Sequence, residues 1–224
     1  MNANGEDTSQ RVWDLPTRLF HWTLVVLIAA QYATAKFHWL DMDWHMRFGL
    51  ATLALLLFRL LWGFVGSQSS RFRDFVRGPR SAWLYMRSLF STNPQNSIGH
   101  NPLGGWSVVT MLACIAVQAI SGLFSSDDII TDGPLTAHVS SATVKLMTRV
   151  HVWNQSILLI LIVLHIAAVL AYLLMARVNL IRPMITGRKM TAQTEPLRFA
   201  PTWRAVLLLA LSIGAVATLM WFAA

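Results

Sequence analysis

Five stretches of this chain, near residues 17–36, 44–65, 106–124, 150–175 and 202–222, are long and apolar enough to cross a bilayer. A hydrocarbon core of ~30 Å needs about twenty helical residues at ~1.5 Å each. Only 12% of the 224 residues are charged and 55% are apolar, and the charges fall in clumps between the apolar runs rather than forming the shell of a soluble domain. The sequence therefore predicts an all-α integral membrane protein with a single membrane domain over 1–224. A short tail (1–16) leads into a four-helix transmembrane bundle (17–175), then a basic loop (176–201) and a fifth C-terminal transmembrane helix (202–222).

The net charge of +8 invites a nucleic-acid reading, but its distribution excludes one. Of 18 Lys and Arg, 13 fall on one side of an alternating topology: Arg11, Arg18, Arg71, Arg73, Arg77, Arg80, Arg87, Arg177, Arg182, Arg188, Lys189, Arg198 and Arg204. Four (Lys36, Arg47, Lys145, Arg149) fall on the other, and Arg59 lies within the second span. The positive-inside rule then puts the N-terminus in the cytoplasm and the C-terminus outside, in a bacterial cytoplasmic membrane. Ala33-Thr34-Ala35, after the first apolar run, imitates a signal-peptide cleavage site, but Glu6, Asp7 and Asp14 ahead of it argue for a retained span.

The one cysteine, Cys114, sits in an apolar segment and reads as a small hydrophobe, and no C-x-x-C-H site for covalent haem attachment occurs. Residues 78–90 are too short and basic to span; Trp83, Met86 and Phe90 recur at helical spacing, as in a helix lying along the inner surface. A polar, turn-rich stretch (91–105) leads into the third span. The outer connection, 125–148, carries Asp127, Asp128 and Asp132, with a short helix expected near 137–147, and a connection of that length suits a docking surface.

Ionisable groups inside a membrane are costly and mark functional sites. The fourth span carries two histidines, His151 and His165, fourteen residues apart. That interval advances about 21 Å and returns to within roughly 40° of the same direction, so both share one face at two depths. His21 lies shortly after the start of a helix entering from inside, and His45 in the first turn of one entering from outside. Depths then match in pairs, His21 with His165 near the inner boundary and His45 with His151 near the outer one. Two facing imidazoles can hold an iron from both sides, and a helix bundle supplies such facing side chains. Two pairs predict two b-type haems stacked across the membrane. Levels about 20 Å apart disfavour one zinc site, whose ligands must converge within about 2 Å of the ion.

Arg59, fourteen residues after His45, repeats the same interval and reaches the inner level, where a haem propionate would supply the carboxylate a buried arginine needs. Arg18, three before His21, and Arg47 and Arg149 are further candidates, against ordinary interfacial snorkelling. Gly49 and Gly122 make room either for a porphyrin or for plain helix packing. His38, His100 and His138 read as solvated interface residues, with His100 the one to watch for a quinone site or haem edge. Gln118, Asn154 and Gln155 are polar groups within spans whose partners the sequence leaves open.

These residues resemble a known family. Val12 through Trp22 (VWDLPTRLFHW), His45 through Arg59 to Trp62-Gly63-Phe64-Val65-Gly66, Gly99 to Gly105, His151 with His165, and Asn179 to Lys189 (NLIRPMITGRK) are similar to the bacterial cytochrome b561 and nickel-iron-hydrogenase-type cytochrome b membrane proteins, over about 11–190. The resemblance implies a four-helix haem-binding bundle whose ligands are His21, His45, His151 and His165. It also implies electron exchange between a quinone pool and a redox partner, a dehydrogenase or hydrogenase subunit or a periplasmic cytochrome c. The short connection between His21 and His45 and the fifth span depart from the basic pattern. Two other readings are weighed. A self-sufficient quinone reductase would draw electrons from superoxide, attracted by Lys36, Arg47, Lys145 and Arg149 against the opposing aspartates. A non-redox transporter or anchor would be colourless. A homodimer formed through the fifth helix is compatible with the sequence.

Overall fold

The computed structural model describes residues 8–88, 99–191 and 196–223. Glu6, Asp7, Phe90 and residues 91–98 of the turn-rich stretch, about which the sequence raised expectations, lie outside the described residues. The described chain is predominantly helical. In order it runs β1 (Thr8–Arg11), α1 (Leu15–Phe37), α2 (Met42–Val65), α3 (Phe72–Phe75), α4 (Pro79–Ser88), α5 (Pro102–Leu123), α6 (Ser141–Leu174), α7 (Ile181–Thr186), β2 (Arg188–Thr191) and α8 (Thr202–Ala223). Among the described residues four helices, α2, α5, α6 and α8, are long and apolar enough to cross a membrane. The 23-residue α1 is long enough, but His21, Gln31 and Lys36 dilute its apolar run, and it is not among those four.

The chain packs as two compact units. Among the described residues, one falls within 1–19, 60–110 and 164–205, the other within 20–59, 111–163 and 206–224.

In the first unit the N-terminal motif builds a buried polar knot. Asp14, 1% exposed, precedes α1 and accepts the Thr17 backbone N–H at 2.7 Å, the N-cap bond that an α-helix start requires. Its other oxygen accepts the Trp62 indole N–H at 3.2 Å, and Trp62 is fully buried. Ser70 lies 3.5 Å from that oxygen and 2.6 Å from the Thr17 hydroxyl. A buried carboxylate persists only where donors compensate its lost hydration, and here they come from three sequence segments. The VWDLPT and WGFVG stretches are thus halves of one packing unit.

Past α6, the segment 179–189 also has a definite fold that the sequence reading took for loop. Asn179 caps α7 through the N–H groups of Ile181 and Arg182 at 3.0 and 2.9 Å. Gly187 ends that helix at φ +80°, a left-handed conformation that suits a residue without Cβ. Its carbonyl accepts the N–H of Val12 at 2.8 Å and of Trp13 at 3.2 Å. β2 then pairs antiparallel with β1, Arg188 opposite Arg11 and Thr191 opposite Thr8. This two-stranded ribbon is an addition to the all-helical expectation, and it fastens the N-terminal tail to the segment after α6.

In the second unit, Leu53 and Ala54 of α2, Leu123 of α5 and Val216 of α8 are buried together, with Leu50, Leu57, Ala119 and Met220 against them. The sequence placed a short helix near 137–147 before a separate span from residue 150. Instead, one 34-residue helix begins at Ser141, because no Gly or Pro interrupts the chain between there and Leu174. His151 therefore stands three turns inside α6 rather than in its first turn.

Candidate functional site

His45 and His151 face each other across a cavity in the second unit. His45 is in the first turn of α2, as its spacing from the apolar run indicated. The imidazole centroids are 6.3 Å apart, with the ring planes 78° from each other. The cavity is about 380 Å³, within the usual range for ligand pockets, and largely apolar. Ile28, Leu50, Ile115, Leu158 and Leu159 form walls, and Gly49 and Gly122 open two of them.

Each imidazole is oriented by a backbone carbonyl on the preceding helix. His45 Nδ1 lies 3.0 Å from the Gln31 carbonyl oxygen, and His151 Nδ1 lies 3.0 Å from that of Gln118. A carbonyl accepts only, so Nδ1 carries the hydrogen in both rings and Nε2 carries the lone pair. That is the tautomer and second-shell support a metal-ligating histidine needs. Ser121 Oγ stands 3.3 Å from His151 Nδ1 as a further acceptor. The Gln31 side chain donates to the Thr52 hydroxyl at 2.9 Å, which pins α1 to α2 at the height of His45.

His151 Nε2 has a companion. Gln118 Nε2 approaches it at 3.1 Å, and buried Asn154 donates to Gln118 Oε1 at 2.8 Å and to the Cys114 carbonyl at 2.9 Å. The two hydrogens of the Asn154 amide are thereby used, and the Gln118 amide donates to the His151 lone pair. These are the partners of two polar residues that the sequence left open; Gln155 also lines the cavity. Gln31 and Ser121 were missed. Their signal was available, since a glutamine in an apolar helix fourteen residues before a histidine is itself an intramembrane polar group.

The space at His151 is set by glycine. A Cβ on Gly122 would stand 2.9 Å from His151 Cε1 and 3.2 Å from Nδ1, so the ring lies directly against the α5 backbone. Gly49 is looser, with only Gln31 Oε1 at 3.7 Å from its hypothetical Cβ.

The remaining candidates are placed as follows. His21, half-buried in α1, meets the Trp22 ring edge-on at 5.0 Å and belongs to the second unit. His165, half-buried in α6, belongs to the first. Arg59 is 3% exposed, with its guanidinium carbon 5.9 Å from the centre of the Phe20 ring, inside cation–π range. Arg18 donates to the Ile185 carbonyl and lies against Gly187, so it also serves the α7 turn. Arg47 and Arg149 are exposed; Arg47 lies over the Trp44 ring and Arg149 donates back to the Lys145 carbonyl. His38 and His138 are exposed, in keeping with solvated interface residues. His100 is not: it is flanked by the rings of Trp13 at 4.7 Å and Phe75 at 4.5 Å.

The donor set fits a haem at the His45–His151 pair. Two iron–nitrogen bonds of about 2 Å plus the inner half of each ring add up to a centroid separation of about 6 Å, close to the 6.3 Å observed. Both lone pairs are on Nε2, and the cavity walls are apolar. Seating the group requires the Gln118 amide to release His151 Nε2.

Long apolar helices bearing opposed, carbonyl-oriented histidines define a multi-pass membrane protein of the b-type cytochrome class. The family model for prokaryotic cytochrome b561 matches residues 12–187, and the chain belongs to that family. No curated protein and no solved structure matches it. The protein is accordingly a membrane b-type cytochrome of electron transfer, and its family binds haem b. The match ends before α8, so the C-terminal helix lies outside the family's shared segment.

Proposed function

We propose that the protein carries electrons across a bacterial cytoplasmic membrane through two haem b groups, between the quinone pool and a redox protein partner. The observation that carries this reading is the facing His45–His151 pair, each ring held in the ligating tautomer. In the proposal His45 and His151 hold one haem, and His21 and His165 hold a second nearer the cytoplasm. Haem held by these histidine pairs would supply reversible one-electron exchange, and ligation by two histidines would favour outer-sphere transfer over oxygen binding.

The chain's residues have separate tasks. The Gln31 and Gln118 carbonyls fix the imidazole orientation, Gly122 lets His151 approach α5, and the apolar walls exclude water. Arg59 and Arg18 are assigned to propionate groups of the inner haem, whose carboxylates a guanidinium matches in geometry. In this reading α1 spans as well, giving five crossings with the N-terminus cytoplasmic and the C-terminus periplasmic, as the basic residues at 71–87 and 177–204 favour. The partner is a periplasmic cytochrome c or a dehydrogenase or hydrogenase subunit.

The test is optical. Oxidised protein, purified without air, is mixed with a quinol and followed for the absorption bands of reduced haem b. Prompt reduction of both haems is expected. Haems that stay oxidised would remove the quinone assignment, and a colourless protein would remove the whole reading.

A further inference from the structure

The loop between α5 and α6 presents two exposed isoleucines in a segment that carries three exposed aspartates. Ile129 and Ile130, adjacent in sequence, are 84% and 89% exposed, and among the described residues Met175 is the other large hydrophobic residue as exposed as Ile129. They are not on a loose strand. Asp127 Oδ1 accepts the backbone N–H groups of Ile129, Ile130 and Thr131, each at 2.9 Å, and the Asp127 N–H bonds the Thr131 carbonyl at 3.1 Å. Ser126 and Asp132 bridge below that turn, and Ser126 is tied to Thr148 of α6. Gly133 lies so close to the end of α5 that a Cβ there would be 2.6 Å from the carbonyl oxygens of Gly122 and Leu123. The tip is therefore held out from a braced base.

Asp127, Asp128 and Asp132 are all exposed, and none forms an ion pair among the described residues. The cations Lys145 and Arg149 are exposed on α6, on either side in sequence of Thr148, to which Ser126 is bonded. The same loop walls the histidine cavity: Ser126, Asp127, Thr131 and Gly133 line it together with His45 and His151. A partner seated on the tip would thus sit beside the site from which electrons leave or enter.

We infer that Ile129 and Ile130, with the carboxylates of Asp127, Asp128 and Asp132 around them, form the docking surface for a soluble redox protein bearing a basic ring around an exposed apolar patch. The inference rests on the electron-transfer reading above and specifies its partner. An apolar centre with a charged rim is the usual anatomy of a protein interface, and rim charge sets the encounter rate and its salt dependence. Lipid is the less suitable occupant. Asp127 is bonded to the backbone of both isoleucines, so burying them among acyl chains would drag a carboxylate into a region hostile to charge.

The experiment uses the full-length, haem-loaded protein in nanodiscs of zwitterionic lipid, with a soluble basic cytochrome c as probe. Binding is measured by interferometry at low and at physiological salt, separately from electron transfer. Association that weakens steeply with salt is expected. Ile129→Ser with Ile130→Ser should weaken it about tenfold, and Asp128→Asn with Asp132→Asn should flatten the salt dependence. Because the replaced side chains are exposed, haem content reports whether these variants fold. No binding at low salt, or binding that all four replacements leave unchanged, would overturn the assignment. So would quenching of Ile130→Trp fluorescence by brominated lipid without probe, which would name the membrane as occupant. Binding that follows the expected pattern without electron transfer would uphold the surface and remove the conduit. Transfer at undiminished rate through the Ser variants would do the reverse.

Discussion

Replacing Gly122 by alanine probes the histidine site at a single atom. The new methyl would stand 2.9 Å from His151 Cε1 and 3.2 Å from Nδ1. Unbonded carbons prefer roughly 3.5–4.0 Å, so the ring must retreat by about half an ångström or more. It cannot do so freely, because Nδ1 is bonded to the Gln118 carbonyl at 3.0 Å and neighbours Ser121 Oγ at 3.3 Å. Overpacking of this kind costs about 1–3 kcal/mol, and the better helix propensity of alanine offsets up to about 1 kcal/mol. Functional constellations tolerate displacements of about 0.5 Å before they fail. We expect the Gly122→Ala protein to fold, to hold the haem at the His45–His151 pair about tenfold more weakly (~1.4 kcal/mol), and to show altered absorption for that haem alone. Haem transfer to an excess of a soluble apo-haem protein gives the relative affinity. Gly214→Ala in α8, where a Cβ meets no atom within 4 Å, is the control and should retain haem normally. A Gly122→Ala protein with unchanged haem retention and spectrum would refute the contact between His151 and α5 as a determinant of the site.

Other expectations concern the scaffold. Asp14→Ala removes the α1 cap and leaves the Trp62 indole N–H buried without its acceptor, for a loss of about 3 kcal/mol read from thermal unfolding in detergent; an unchanged midpoint would refute the role of the knot. Gly187→Ala forces a Cβ into the left-handed region and to 2.9 Å from the Trp13 carbonyl, so β1 should detach and residues near Arg11 should become protease-sensitive. Three backbone N–H groups hold the Asp127 carboxyl down to about 2 from an ordinary value near 3.8, with the Thr131 bond largest. A group depressed in the folded state contributes order above its unfolded value and loses it as pH falls through the folded one. Amide exchange at Ile129–Thr131 should therefore stay slow, after correction for intrinsic rates, from neutral pH to about 4 and accelerate between about 4 and 2. Loss of protection already at pH 6 would contradict that assignment.

How far the sequence could be read depends on the kind of signal each feature leaves. His45 and His151 were identifiable because ionisable side chains stand out against apolar helices, and the structure brings that pair together. The start of α6 was misjudged because 141–149 is polar enough to read as a separate short helix outside the span, whereas helix continuity depends on the absence of a breaker rather than on hydropathy. Gln31 stands out only as a polar group in an apolar helix, because it orients His45 through its backbone carbonyl, and Ser121 acts through a hydroxyl common in any helix. The Asp14–Trp62–Ser70 knot joins residues up to 56 positions apart, and no local periodicity encodes such a contact. The 179–189 segment was visible as a motif but not as a fold, since the role of Gly187 is a backbone angle and two hydrogen bonds to Val12 and Trp13.

The central claim is that four histidines hold two haems, and haem stoichiometry tests it most directly. The pyridine haemochrome assay on purified protein should return two haem b per chain. His45→Ala and His151→Ala should each return one, His21→Ala and His165→Ala should each remove the other, and pairing His45→Ala with His165→Ala should leave none. One haem in the unaltered protein, or two surviving any of the single replacements, would contradict the account.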